Sequence, residues 1–173
     1  MINPENVQKF KSYGFVLTPV VKSKNPDDDK KPLVNEKTNY KWSNKVGYEW
    51  NDQELLDANR LGAWHRDSKI FDVDFDDKEY NAHKFIDCLP ATFTVGKKVN
   101  GRTIATHLIY KTRDNVKDYK KAQPLVELLG NTQTIIAGVD RVIINDQEPI
   151  YYSADDIRAE CKLIATFSEL YKH

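Results

Sequence analysis

Apolar and polar positions alternate along this chain in two rhythms, and the changeovers between them divide it into elements. In residues 3–13, Val7 and Phe10 fall on one helical face. Asn3 suits the cap, Pro4 the first turn and Gly14 the stop, so a short helix is predicted. "FVLTPVV" (15–21) reads as a strand, and Pro19, which cannot donate to a ladder, points to an edge or a bulge. "KSKNPDDDKKP" (22–32) reads as a charged loop, and the polar stretch up to about Asn51 has no period. "NDQELLDANR" (51–60) predicts a helix capped by Asn51, and "GAW" (62–64) the start of a strand. Residues 69–75 form another strand. A helix from about Lys78 to Leu89 should follow, capped by Asp76 or Asp77, with Tyr80, Phe85, Ile86 and Leu89 apolar.

The second half is richer in strands. "TFTVGKKVNGRTIATHLIYK" (92–111) predicts a β-hairpin turning at Asn100-Gly101. "PLVELLG" (124–130), "TIIAGV" (134–139), "RVIIN" (141–145) and "PIYY" (149–152) all read as strands. Ser153 and Asp156 stand in capping-box spacing before an amphipathic helix through Ile157, Cys161, Ile164 and Tyr171. Helices mixed with a run of antiparallel strands define an α+β class.

Composition narrows the setting. The 173 residues suit one domain, with 40% apolar and 30% charged residues. No apolar run approaches a membrane-spanning length. "MINPENVQKF" lacks a basic-then-apolar leader, so a cytoplasmic protein is expected, without a membrane partner. Cys88 and Cys161 are the only cysteines, too few for a cysteine-based zinc site or a disulfide framework.

Formal net charge is zero, yet charge is unevenly spread. Five acids and one lysine lie between Asp72 and Glu79, and eight Lys/Arg against two Asp between Lys97 and Lys121. An acidic spot beside a basic stretch suits a metal-dependent site for polyanions. Within the acidic strand, Asp72 and Asp74 share a face while Phe71, Val73 and Phe75 take the other. Two such carboxylates at about 4 Å repel by about 4 kcal/mol at an effective dielectric near 20. Either a wet sheet face or a countercharge must offset that. His107 lies on the face of Ala105 and Ile109, and Glu127 interrupts an apolar strand without a local partner.

Taken together, these residues resemble the primase-polymerase domain of the archaeo-eukaryotic primase superfamily, found in plasmid, phage and mobile-element replication proteins. Asp72-Val73-Asp74 matches that family's Asp-x-Asp/Glu strand, Ala105-Thr106-His107 its small-x-His strand, and Glu127 its third acid. "YGFVLTPVV", "KKPLV" and "VELLGNTQTIIAGVDR" resemble the flanking segments. The resemblance implies an RRM-like sheet core with an N-terminal αβ unit over residues 1–152, and leaves 153–173 as an appended helix. It also implies a DNA primase/polymerase that adds (d)NTPs to a 3′-hydroxyl on single-stranded DNA. Asp72, Asp74 and Glu127 would be the catalytic acids holding two Mg2+ or Mn2+ ions, without zinc, and His107 would contact the incoming triphosphate. Lys97, Lys98, Arg102, Lys111 and Arg113 are candidate contacts to triphosphate or template. A helicase or replication initiator, in cis or trans, would be a natural partner, in a prokaryotic or phage-infected cell.

Two departures from the family pattern stand out. "NGRTIATH" has one glycine upstream of the histidine rather than a pair, and "GAWHRDSK" replaces a small residue and glycine. Trp64, His65 and Arg66 are expected in an exposed turn or, alternatively, at the nucleotide pocket. These departures keep open a non-catalytic, single-stranded nucleic-acid-binding module. A rolling-circle nickase would want a His-x-His pair, which the chain lacks.

Overall fold

The computed structural model describes residues 2–20, 50–76, 82–117 and 126–170. The expected loop at 22–32, the "KKPLV" segment and the start of the helix after the acidic strand lie outside them. Helix α1 (Pro4–Ser12) opens on Asn3, whose side chain accepts from the Asn6 backbone N–H, and buries Val7 and Phe10. The chain reverses at Gly14, which sits at φ +83 where a side chain would be strained. Strand β1 (Leu17–Val20) follows. Helix α2 (Asp52–Leu56) begins with a capping box between Asn51 and Glu54. It is shorter than predicted because Arg60 already belongs to strand β2 (Arg60–Trp64).

A one-turn helix, α3 (His65–Ser68), ends at Lys69, whose left-handed φ of 50 turns the chain into β3 (Ile70–Asp74). A 3-10 helix over Ala82–Cys88 stands where an α-helix was expected. The hairpin is β4 (Phe93–Val99) and β5 (Arg102–Lys111), with Asn100 and Gly101 both at positive φ, as a tight two-residue turn requires. Then come β6 (Glu127–Leu129), β7 (Gln133–Gly138), β8 (Val142–Asn145) and helix α4 (Ala154–Leu170). The Ser153 hydroxyl accepts from the Asp156 N–H at the start of α4.

The fold is α+β, and its strands form two antiparallel sheets, ordered β1-β2-β7 and β6-β3-β5-β4-β8. Pro19 lies on β1, at the edge of the smaller sheet as described, where its missing N–H disturbs no ladder. The expected "PIYY" strand reduces to one parallel bridge between Lys111 and Tyr151. Pro149 removes a donor, and the segment clips onto the end of β5 through two bonds around Lys111, Lys111 N–H to Ile150 O and Tyr152 N–H to Lys111 O.

Both faces of the larger sheet are covered. On one side Ile70, Phe93, Val95 and Ile109 pack against α1 and the smaller sheet through Phe10, Leu17, Leu61 and Ile136. On the other, Phe71, Val73, Leu108 and Tyr110 pack against α4 through Ile157, Cys161 and Ile164. Asp72 therefore lies between the two sheets and is fully buried, not on a wet face. The Cys161 thiol, on the buried face of α4, is pushed up to about 12 by burial and is chemically quiet. Among the described residues no helix is long and apolar enough to cross a membrane.

Candidate active site

Strand pairing, not proximity in sequence, assembles the acids. β3 is flanked by β5 and β6, and Asp74 stands directly opposite His107 on one side and Glu127 on the other. Direct partners in an antiparallel pair share a face, with Cβ atoms about 4.5–5.5 Å apart. His107, Asp74 and Glu127 thus form a row across three strands. Asp72 sits two residues back on the same face, opposite Ile109 and Leu129. The β4–β5 register shifts between Val95 and Gly96, leaving Thr106 without a Cα partner on β4. Bulges of this kind re-aim a neighbouring side chain, and here the neighbour is His107.

The four side chains line one cleft of about 190 Å³, which Gln133, Thr134 and Ile135 of β7 also line. Asp72 is its innermost acid. Its Oδ2 accepts from the Thr134 hydroxyl at 2.5 Å and from His107 Nδ1 at 2.9 Å. His107 Nδ1 also lies 3.5 Å from Asp74 Oδ1. Burial opposes a charge on this imidazole. The Asp72 and Asp74 carboxylates and the Asp72 hydrogen bond outweigh burial and the nearby Arg141, so its pKa is raised. An imidazole that holds its proton more readily can supply part of the countercharge that the paired aspartates need.

Arg141, in the turn between β7 and β8, also lines the cleft. Its neighbour Asp140 is gripped by Arg60 through two hydrogen bonds, one from Nε at 2.9 Å and one from Nη2. Asp140 in turn accepts from Arg141 Nη1 at 3.4 Å. The Arg141 Nε is buried and has no hydrogen-bond partner among the described residues. A guanidinium held this way beside a carboxylate cleft is suited to a phosphate oxygen.

The remaining sequence candidates lie elsewhere. Lys97, Lys98 and Arg102 are at the tip of the β4–β5 hairpin, outside the cleft. Lys111 is at the opposite end of β5, about 13 Å along the strand from His107, where it bonds Glu148 and lies 5.7 Å from the Tyr151 ring centroid. Arg113 lies over the same ring at 5.5 Å. Trp64 and His65 are buried, and His65 is fully so, which corrects the expected exposed turn; Arg66, Asp67 and Lys69 of that segment are exposed. The reason is that β2 is covered on both faces and the chain enters α3 before reaching solvent. Arg141 and Thr134 carried no assigned role in the sequence reading. The one available signal was a basic residue, in "GVDRVII", set between two apolar strands.

Hard oxygen donors of this type suit Mg2+ or Mn2+. Among the described residues, Asp72 Oδ1 is buried and has no hydrogen-bond partner. A carboxylate oxygen left bare in a polar cleft is costly unless something positive takes it up. Among the described residues no three His, Cys, Asp or Glu side chains converge into a ready metal cage. Mg2+ commonly binds one or two carboxylates and completes its shell with water and substrate phosphates. The oxygen donors present fit an ion of that kind. No protein-family model matches this chain, and no curated protein matches it significantly.

Proposed function

We propose that this protein is a primase-polymerase, transferring nucleotides from (d)NTPs to a 3′-hydroxyl on a single-stranded DNA template. The observation that carries the proposal is the row of His107, Asp74 and Glu127 beside the half-bare carboxylate of Asp72 in one cleft. That is the residue set the family motifs pick out, and the larger sheet would be its RRM-like core. Divalent ions bound there would lower the pKa of the attacking hydroxyl and neutralise charge on the leaving pyrophosphate. Asp72 Oδ1, Asp74 and Glu127 are the oxygen donors available to them.

The chain's own residues account for the rest of the work. Asp72 occupies His107 Nδ1, so Nε2 is the nitrogen left for a triphosphate oxygen. Arg141 offers a second cationic contact, and both would stabilise charge that grows as the phosphoryl group transfers. A cleft of about 190 Å³ takes in a triphosphate but not a whole nucleotide. Sugar and base would therefore sit over the rim, where a template strand can pair with them.

Primer extension with Mg2+ or Mn2+ tests the proposal. Wild type should extend, and Asp72→Asn and Glu127→Ala should not. Equal extension by all three proteins would remove the assigned site. A second reading is favoured by the absence of a preformed cage among the described residues: a binding module without turnover. Calorimetry separates the two, because such a module would bind single-stranded DNA without metal-dependent binding of triphosphate.

A further inference from the structure

Asp72 lies on the larger sheet, yet its orientation is set from the smaller one. Thr134, on β7, donates its hydroxyl to Asp72 Oδ2, and His65 Nε2 lies 2.8 Å from the same Thr134 oxygen. All three side chains are buried. A hydroxyl has one proton. Thr134 gives that proton to Asp72 Oδ2, so His65 must donate its Nε2–H to the Thr134 oxygen. The direction of the chain, His65 to Thr134 to Asp72, follows from the hydroxyl's single proton.

The consequence is geometric. Oδ2 is held twice, by Thr134 and by His107, and among the described residues nothing bonds Oδ1. A carboxylate pinned through one oxygen cannot rotate to bury the other in a hydrogen bond of its own. We infer that Thr134 and His65 are positioning residues that lock Asp72 with Oδ1 presented to a divalent ion. This rests on the active-site reading above and deepens it. Outer hydrogen-bond partners of a metal-binding carboxylate commonly alter metal affinity by about 10–100-fold when removed.

Thr134→Val keeps the shape and deletes the donor, whereas Thr134→Ser keeps it. Mn2+ binding, followed by calorimetry and by the electron paramagnetic resonance of the free ion, should weaken about tenfold or more in the valine variant and be restored by serine. Thermal melting of the same samples checks that they are folded. His65→Gln, which can still present an N–H, should bind Mn2+ better than His65→Leu, and this pair decides the matter if Thr134→Val does not fold. A folded Thr134→Val protein with wild-type Mn2+ affinity would overturn the inference, as would equal affinities for His65→Gln and His65→Leu. If wild type binds Mn2+ and Thr134→Val weakens it, but wild type itself does not extend a primer, the positioning role stands and the polymerase reading falls. If wild type itself takes up no Mn2+, both fall.

Discussion

Arg60 grips Asp140 with two hydrogen bonds, and this clasp fixes the turn that carries Arg141 into the cleft. Arg60 is 3% exposed, so its guanidinium depends on that carboxylate for much of its countercharge. Burial tends to raise the Asp140 pKa, but the hydrogen bond from Arg60 and the charges of Arg141 and Arg60 prevail and lower it. A carboxyl whose pKa is depressed on folding stabilises the fold above its unfolded pKa, near 3.9, and that gain is lost as pH falls through the depressed value. Asp140→Asn should therefore melt below wild type at neutral pH. The gap should close as pH drops from about 5 to about 2. Melting curves across that range check it; a gap that widens in acid contradicts the clasp.

Arg141 and Lys111 should behave differently. Arg141→Ala removes the cation in the cleft and is expected to raise KM for the nucleoside triphosphate about tenfold, equivalent to about 1.4 kcal/mol. Lys111 bonds Glu148 at the far end of β5, so Lys111→Ala should leave KM unchanged. Steady-state primer extension at varied triphosphate concentration separates the two. A KM shift for Lys111→Ala alone would reassign the phosphate contact.

Gly96 adjoins the β4–β5 register shift next to His107. A Cβ there would fall 2.2 Å from the Ile104 carbonyl oxygen and 2.6 Å from Ile144 Cδ1. Backbone oxygen cannot move aside without opening the hairpin. Gly96→Ala is expected to cost about 1–3 kcal/mol of stability, read as a lower urea midpoint, and to reduce activity through His107. Gly101→Ala meets open space but sits at φ +77; its smaller loss would reflect turn strain alone.

The core offers a plain check on the packing of α1. Phe10 is fully buried, with its ring edge-on to Phe93 at 5.9 Å between centroids. Phe10→Ala should cost about 3–5 kcal/mol. A urea denaturation series measures this directly. A loss under about 1 kcal/mol would mean that α1 is not part of the cooperative core.

Local signals were legible where the cause is local. The Asn3 and Asn51 caps, the Asn100-Gly101 turn and the edge position of Pro19 each follow from a residue and its immediate neighbours. The alternation of β3 and β5 also placed Asp72 with Asp74, and His107 with Ile109, on the correct shared faces. "PIYY" failed because its pairing is decided by Lys111, forty residues upstream. His65 read as exposed because nothing in "GAWHRDSK" reveals that a second sheet covers it.

By itself, then, the sequence determined which residue types sit on which face of each strand, because side-chain direction is set by backbone period. Only the tertiary structure decided that Asp74 meets His107 and Glu127, that Thr134 reaches Asp72 from another sheet, and that Arg141 rather than Lys111 enters the cleft. Those relationships depend on which strands pair and in what register. Register is chosen by the burial of two opposed apolar faces at once, a condition no single segment carries.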